Sequence, residues 1–326
     1  ARSFTKGDIK KVNVAMNSGM YKNAFTCGIP NSNEVGNVFA AALGVVAGNA
    51  DKGLESLADV TPEDNVKAQE MIDQGKITVE LSGITSRIFI EATVETEEDK
   101  AIVTIRDSHT NITKIIVNDK VELETEDEKK TEEDGGEEES HSIHKYTLQQ
   151  LYDYVTTVDI EEIRFINEAY KVNLELFHEG LENPRTTFAR QLLAINNGKE
   201  VSDDEQKTAS LMCNAAIEAR VIGLDKPAMS ITGSGAHGII ATMPLYAAYK
   251  VNGYTEEQLL RATALSYLVC MYIKEYSGRL SAFCGCAIAA GSGMACALVY
   301  LRGGTVEMMA HTLNNMASSI TIRDVQ

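Results

Sequence analysis

One acidic run, residues 122–139, separates two stretches of this 326-residue chain whose hydrophobic patterns call for different secondary structure. Before it, apolar residues tend to recur at every second position. Lys11-Val12-Asn13-Val14-Ala15-Met16 alternates as a half-buried strand does, and residues 77–80, 87–95, 101–106 and 113–118 are short runs rich in Val, Ile and Thr. Helical pieces are interleaved with them. Residues 38–46 are Ala-rich, and Thr61-Pro62-Glu63-Asp64 supplies a capping hydroxyl, a proline at the first helical position and an acidic first turn. Beyond the acidic run, helix-start signals recur: Thr147 with Gln150, Asp159 with Glu162, Ser202 with Glu205, and Thr255 with Gln258. Each is a capping side chain with a reciprocal partner three residues later. The helices they open are apolar around most of their circumference, as at Leu259, Leu260, Leu265, Leu268, Val269 and Ile273, so they must be buried on several sides. The expected fold class is α+β, with a small mixed domain over 1–121, an acidic linker or loop over 122–145, and a mostly helical domain over 146–326.

A net charge of −17 argues against a nucleic-acid partner, because a phosphate backbone rewards clustered Lys and Arg. Much of that charge sits in the one acidic run, which reads as a solvated loop. The opening residues, Ala1-Arg2-Ser3-Phe4-Thr5-Lys6, lead into a polar stretch and not into the apolar core of a secretory signal; the first residue is not Met, so the start reads as processed or trimmed. The six cysteines, Cys27, Cys213, Cys270, Cys284, Cys286 and Cys296, are not spaced as a small disulfide framework. A reduced, cytoplasmic protein is expected. Residues 280–301 carry little charge but are made of Gly, Ala, Ser and Cys, without the dense large aliphatics of a membrane span. They read as a helix buried in protein, with no membrane partner.

Short runs of glycine and small polar residues interrupt this structured sequence at four places: 18–23, 26–31, 232–238 and 277–286. The third, Thr232-Gly233-Ser234-Gly235-Ala236-His237-Gly238, leads into the apolar segment 239–249. A glycine-rich turn entering a helix aims free backbone N–H groups at whatever lies before it, which suits a carboxylate or phosphate. No Lys-Ser/Thr follows as in a Walker A loop, and the glycine spacing is not that of a dinucleotide fingerprint. A tight turn without a ligand explains the same residues. His237 is either an acid–base group or a hydrogen-bonded structural histidine. Cys284-Gly285-Cys286 offers two thiols, the preferred ligands of iron–sulfur clusters and zinc, and equally a pair of small packing residues. Cys213 and Cys270 sit inside helical patterns as packing residues. Lys274 and Arg279 lie just upstream of the thiol pair, where a cation binds a carboxylate, lowers a thiol pKa, or caps a helix.

Taken in order, Lys22-Asn23, Cys27-Gly28-Ile29-Pro30-Asn31, the 233–238 turn, Tyr272-Ile273-Lys274 and the 277–286 run resemble the serine dehydratase alpha-chain superfamily, closest to its L-cysteine desulfidase branch. The resemblance implies a lyase acting on a small amino-acid substrate. It would eliminate the β-substituent of L-cysteine or L-serine to give pyruvate, ammonia and hydrogen sulfide or water. It also implies a [4Fe-4S] cluster held by three cysteines, with one iron open as a Lewis acid. Carried over by position, Cys284, or Cys286 if the register is off by two, is a cluster ligand. Ser234 and Gly235 of the turn would receive the substrate carboxylate, with Lys22, Asn23 and Arg279 as further substrate contacts, and His237 and Lys274 would be catalytic. A homodimer is compatible with this reading.

Departures from the family pattern are also legible. Members begin with a Gly-Cys-Thr-Glu-Pro segment that would lie before residue 1, and carry two further cysteines beyond the position of Ser318-Ser319-Ile320-Thr321. Ala236 stands where Asn is common. As written, the chain is expected to lack the full ligand set and to be inactive alone, the cluster belonging to the complete protein. The rival readings are a non-catalytic amino-acid-binding or regulatory relative without a cluster, a phosphate-binding enzyme, and a transporter. The phosphate-binding enzyme lacks acidic partners for Mg²⁺, and the transporter is opposed by the charge and by the strand-rich half.

Overall fold

The structure, a computed structural model, describes residues 1–84, 87–125, 142–277 and 284–321. The fold is α+β, and the chain divides into two compact units, Ala1–Gly135 and Gly136–Gln326.

In the first unit, strand β1 (Ile9–Asn17) is followed by helices α1 (Ser18–Ala24), α2 (Asn37–Val46) and α3 (Pro62–Asp73) and by strand β2 (Ile77–Gly83). Strands β3 (Phe89–Thr96), β4 (Lys100–Arg106), β5 (Ile112–Val117) and β6 (Lys120–Glu124) complete a sheet of order β2-β1-β3-β4-β5-β6. The helical crossover makes β1 and β2 parallel, with Val14 opposite Val79, while the short connections after β3, β4 and β5 make their pairs antiparallel. The two-residue alternation in β1 is used as its pattern implies. Val12, Val14 and Met16 face a core shared with Phe39 and Leu43 of α2, Ala68 of α3 and Val94 of β3. The start of α3 is a closed capping box, with Asp64 N–H donating to Thr61 Oγ1 and Thr61 N–H donating to the Asp64 carboxylate. Strand β6 carries the sheet to Glu124, into residues expected as linker. All five of its residues are exposed, so no buried period announced it; backbone pairing with β5 and a Lys114–Glu124 ion pair at 2.7 Å hold it. The rest of the acidic run lies outside the described residues.

The second unit is helical: α4 (Leu148–Thr157), α5 (Ile160–Ile163), α6 (Asn167–Glu182), α7 (Phe188–Ile195), α8 (Glu205–Val221), α9 (Gly235–Asn252), α10 (Glu256–Ser277), α11 (Ser292–Leu301) and α12 (Val306–Thr321). A π-helical segment, Cys286–Gly291, runs directly into α11, so the buried helix expected across 280–301 changes winding at Ser292. Helix α9 is the hub. Ile239, Met243 and Ala247 pack with Leu176 and Phe177 of α6 and with Leu211 and Ala215 of α8. Its Leu245 and Ala248 join Leu260 and Leu265 of α10 and Ala297 of α11. Neighbours on several sides explain why α9 is apolar nearly all round, and each large side chain buried there contributes roughly 1.5–3 kcal/mol.

Reciprocal caps form at Thr147–Gln150 and Thr255–Gln258, and Asp159 accepts from the Glu161 N–H. The cap expected at Ser202 is instead Asp204, which accepts from Lys207 N–H. Ser202 is buried, and its hydroxyl donates to Asn196 Oδ1 at 2.6 Å, so it is committed to an interior network three residues before the helix begins. Among the described residues no helix is long and apolar enough to cross a membrane.

Candidate active site

The entrance to α9 is a tight turn closed by two backbone bonds, Ser234 N–H to the Ile231 carbonyl and Ile231 N–H to the Ser234 carbonyl. Such a turn needs left-handed backbone at both central residues, found here at Thr232 (φ 55°) and Gly233 (φ 77°). Glycine adopts it freely, whereas at a β-branched threonine it costs roughly 1–2 kcal/mol. The Thr232 hydroxyl shows what the strain secures. Its Oγ1 donates to the Ile231 carbonyl at 2.7 Å and lies 2.9 Å from His237 Nδ1. With the hydroxyl hydrogen committed to Ile231, Oγ1 accepts from Nδ1–H, which leaves the lone pair of His237 on Nε2. Ser234 caps the helix by accepting from His237 N–H at 3.4 Å, which fixes the same residue from its backbone side.

His237 is 5% exposed, and burial pushes its pKa down to about 4, with the Lys274 and Arg220 cations adding to the effect. The ring is therefore neutral near pH 7. Lys274 reaches the same place from α10. It is 7% exposed; burial lowers its pKa, and the neighbouring thiols Cys270, Cys286 and Cys284 oppose the shift. Between the two stands a residue with no side chain. A Cβ on Gly285 would lie 2.7 Å from His237 Nε2, 2.8 Å from Cε1 and 3.7 Å from Lys274 Nζ. His237 Nε2, a proton acceptor, and the Lys274 ammonium, a proton donor, thus converge on Gly285, whose lack of a side chain lets the imidazole pack against it.

The thiols border this point. Cys284 is exposed and Cys286 half-buried; burial and its interaction with Cys284 push the Cys286 thiol up to about 11. Cys270 is fully buried and Cys213 is half-buried; burial pushes both up to about 12, and each also feels Cys286. A [4Fe-4S] cluster of the kind the resemblance implies needs three thiolates. Among the described residues no group of three or more His, Cys, Asp or Glu side chains is placed to hold a metal ion. The thiols described do not fit a three-ligand site, and no chemical step below is routed through a cluster.

Of the residues singled out from sequence, Ser234, His237, Lys274, Cys284 and Cys286 gather around Gly285 and the α9 entrance. Gly235 is the first residue of α9, in ordinary helical backbone; the left-handed geometry falls on Thr232 and Gly233 instead. A Cβ on Gly235 would lie 2.9 Å from Ala228 Cβ and 2.9 Å from Arg220 Nε. Lys22 and Asn23 belong to the first unit, exposed on α1, where the Asn23 carbonyl accepts from Cys27 Sγ at 2.8 Å. Arg279 lies outside the described residues. Sequence reasoning did not single out Thr232, Arg220 or Gly285, which the structure brings to this cluster. Thr232 and Gly285 were quoted within motifs but read as turn and spacer, and Arg220, at the end of another helix, had no local signal.

These features define an α+β chain whose helical unit holds a preorganised polar site at a helix entrance. The family model described as "Serine dehydratase alpha chain" matches residues 51–321, and the chain belongs to that family. Similar proteins include a "UPF0597 protein" of Clostridium botulinum, 39% identical over 317 residues covering 97% of this chain and 73% of the relative. Others are "UPF0597 protein TTE0269" of Caldanaerobacter subterraneus, 33% identical over 98% of this chain and 74% of the relative, and "UPF0597 protein BF3560" of Bacteroides fragilis, 33% identical over 96% and 72%. Those names state no activity. No solved structure matches the chain.

Proposed function

We propose that this chain carries the acid–base groups of a lyase that eliminates the β-substituent of L-cysteine or L-serine. The family, related to serine dehydratase, supports the reaction class. The observation that supports the assignment of groups is the convergence of His237 Nε2 and Lys274 Nζ on Gly285. Elimination needs one acceptor and one donor on opposite ends of the Cα–Cβ bond. His237, neutral and with its lone pair fixed on Nε2 by Thr232, takes the α-proton. Lys274 gives a proton to the departing thiol or hydroxyl. The Cα–H and Cβ–S or Cβ–O bonds break, a Cα=Cβ bond forms, and 2-aminoacrylate leaves. Its tautomer, the imine, is hydrolysed to pyruvate and ammonia in water.

The test is anaerobic assay of the full-length protein for pyruvate and ammonia from each amino acid, with iron content and visible spectrum recorded on the same sample. The iron–sulfur dependence implied by the resemblance predicts brown protein that bleaches in air and loses activity with its iron. His237→Gln and Lys274→Met are each expected to lower kcat by roughly 10²–10⁴. Pyruvate formation at wild-type rates by both variants would defeat the assignment. The second reading, an amino-acid-binding relative without catalysis, is favoured by the lack of a three-ligand group among the described residues. It predicts ligand binding with no product from either amino acid.

A further inference from the structure

One charged side chain at this site has no task in the chemistry above. Arg220 lies in the last turn of α8, where the helix dipole favours a cation. The dipole accounts for the residue type and not for where the side chain goes. A Cβ on Gly235 would sit 2.9 Å from Arg220 Nε and 3.4 Å from Cδ, so the arginine lies along the first residue of a different helix, α9. Among the described residues of this unit, Arg164, Arg185, Arg190, Arg261 and Arg302 each donate to a carboxylate or a backbone carbonyl. Arg220 alone makes no hydrogen bond or ion pair with them, in a chain with 47 acidic residues against 30 basic ones.

The surroundings sharpen the point. The groups that feel Arg220 are the neutral His237 ring and the Cys286 thiol. His237 is 5% exposed, and its Nε2 packs against Gly285. The Arg220 guanidinium therefore lies beside a buried histidine, with no carboxylate among the described residues paired to it. The N–H groups of Gly235 and Ala236 also precede the first intrahelical bond, Gly238 N–H to the Ser234 carbonyl. A fork of guanidinium N–H donors beside them matches the two oxygens of one carboxylate.

We propose that Arg220 is the carboxylate anchor of this site, and that the site takes small α-amino or α-keto monocarboxylates through it. The proposal deepens the elimination reading and takes its ligand class from it; the anchor itself rests on the placement of Arg220. Neutral analogues, such as the amide of the same amino acid, leave the guanidinium unpaired and are rejected.

Binding of acetate, pyruvate, L-serine, L-cysteine and L-serinamide to the full-length protein is measured by calorimetry, so no turnover is needed. The wild type is expected to bind L-serine and pyruvate and to discriminate against L-serinamide. Arg220→Gln should weaken the carboxylates on the order of a hundredfold and erase the preference for acid over amide, since hydrogen bonds to charged groups carry most of that discrimination. Arg220→Lys should recover part of the affinity, keeping the charge and losing the fork. Gly235→Ala, whose Cβ would displace the same guanidinium from the other side, should weaken the same ligands with Arg220 intact. A wild type that binds none of the carboxylates overturns the anchor, as does an Arg220→Gln protein that keeps both affinity and preference. Carboxylates bound through Arg220 with no pyruvate formed from either amino acid sink the elimination reading and leave the anchor standing. Normal turnover at unchanged KM in Arg220→Gln does the reverse.

Discussion

Helices α2 and α9 both begin at glycine-bearing turns with left-handed backbone, and they use that geometry differently. At α2 the cap is Gly36 itself, at φ 91° and with no side-chain acceptor, and a Cβ there would lie 2.6 Å from the Phe25 carbonyl oxygen. Its first turn, Asn37-Val38-Phe39, holds no acid–base group. At α9 the left-handed residues come before the cap, one of them is a threonine, and the third helical residue is His237. Gly36 is there because the chain passes close to its own backbone. The α9 entrance differs because α8, α10 and residues 284–286 bring to it Arg220, Lys274 and a glycine against which His237 packs. A glycine-rich helix entrance thus states a backbone requirement, and distant segments decide whether it becomes a site.

The sharpest way to break that contrast is to add one methyl group at each place. Gly285→Ala puts a carbon 2.7 Å from His237 Nε2. It is expected to lower turnover by roughly 10²–10⁴, the usual contribution of a positioned acid–base group, with the melting midpoint little changed. Gly36→Ala is expected to behave in the opposite way. A left-handed φ and a backbone clash together cost about 1–3 kcal/mol of stability, read as a lower urea midpoint, while carboxylate binding is kept. If Gly36→Ala melts normally and loses ligand affinity, α2's entrance is a site as well.

The same contrast explains what could be read from the sequence. The strands β1 to β5 and most caps were legible because alternation and capping are local, as at Val12-Val14-Met16 and Thr61–Asp64. Strand β6 was not, since its residues are all exposed and only pairing with β5 makes it a strand. Ser202 was misread because nothing local says that its hydroxyl goes to Asn196. At the α9 entrance, His237, Lys274 and the thiol pair stand out by residue type, and only the tertiary structure brings them together. Thr232, whose left-handed backbone and hydroxyl set the histidine tautomer, and Gly285, whose value is an absent atom, act through tertiary geometry. Arg220 is tied to Gly235 by helix packing that no spacing rule encodes.

A smaller effect separates the two entrances by pH. The His237 pKa is about 4 in the folded chain against 6.5 ordinarily, so between those values the unfolded chain binds a proton that the folded chain refuses. The contribution of this buried neutral ring is complete above pH 6.5 and is lost as pH falls toward 4. Urea midpoints at pH 7 and pH 5 should therefore differ more in the wild type than in His237→Gln. Gly36→Ala, with no titrating group at its turn, should keep the wild-type difference. Equal pH dependence in the wild type and His237→Gln would show that the ring is not held neutral by the fold.

The smallest expected effect is the most direct comparison, because Ser234→Gly turns the cap of α9 into the kind of cap α2 already uses. Ser234 contributes one long hydrogen bond, 3.4 Å, from His237 N–H. Replacing a capping serine by glycine costs only a few tenths of a kcal/mol, and α2 shows that a helix of this chain starts without a side-chain acceptor. His237 should keep its place, since Thr232 holds Nδ1 and the helix holds the backbone. Stability and turnover are therefore expected to stay within about twofold of wild type, a difference of roughly 0.4 kcal/mol. The informative failure is selective. If Ser234→Gly melts normally but binds L-serine and pyruvate about tenfold more weakly, a loss of about 1.4 kcal/mol, the hydroxyl is itself a ligand contact. The α9 entrance would then differ from that of α2 in its own cap, as well as in what α8 and α10 bring to it.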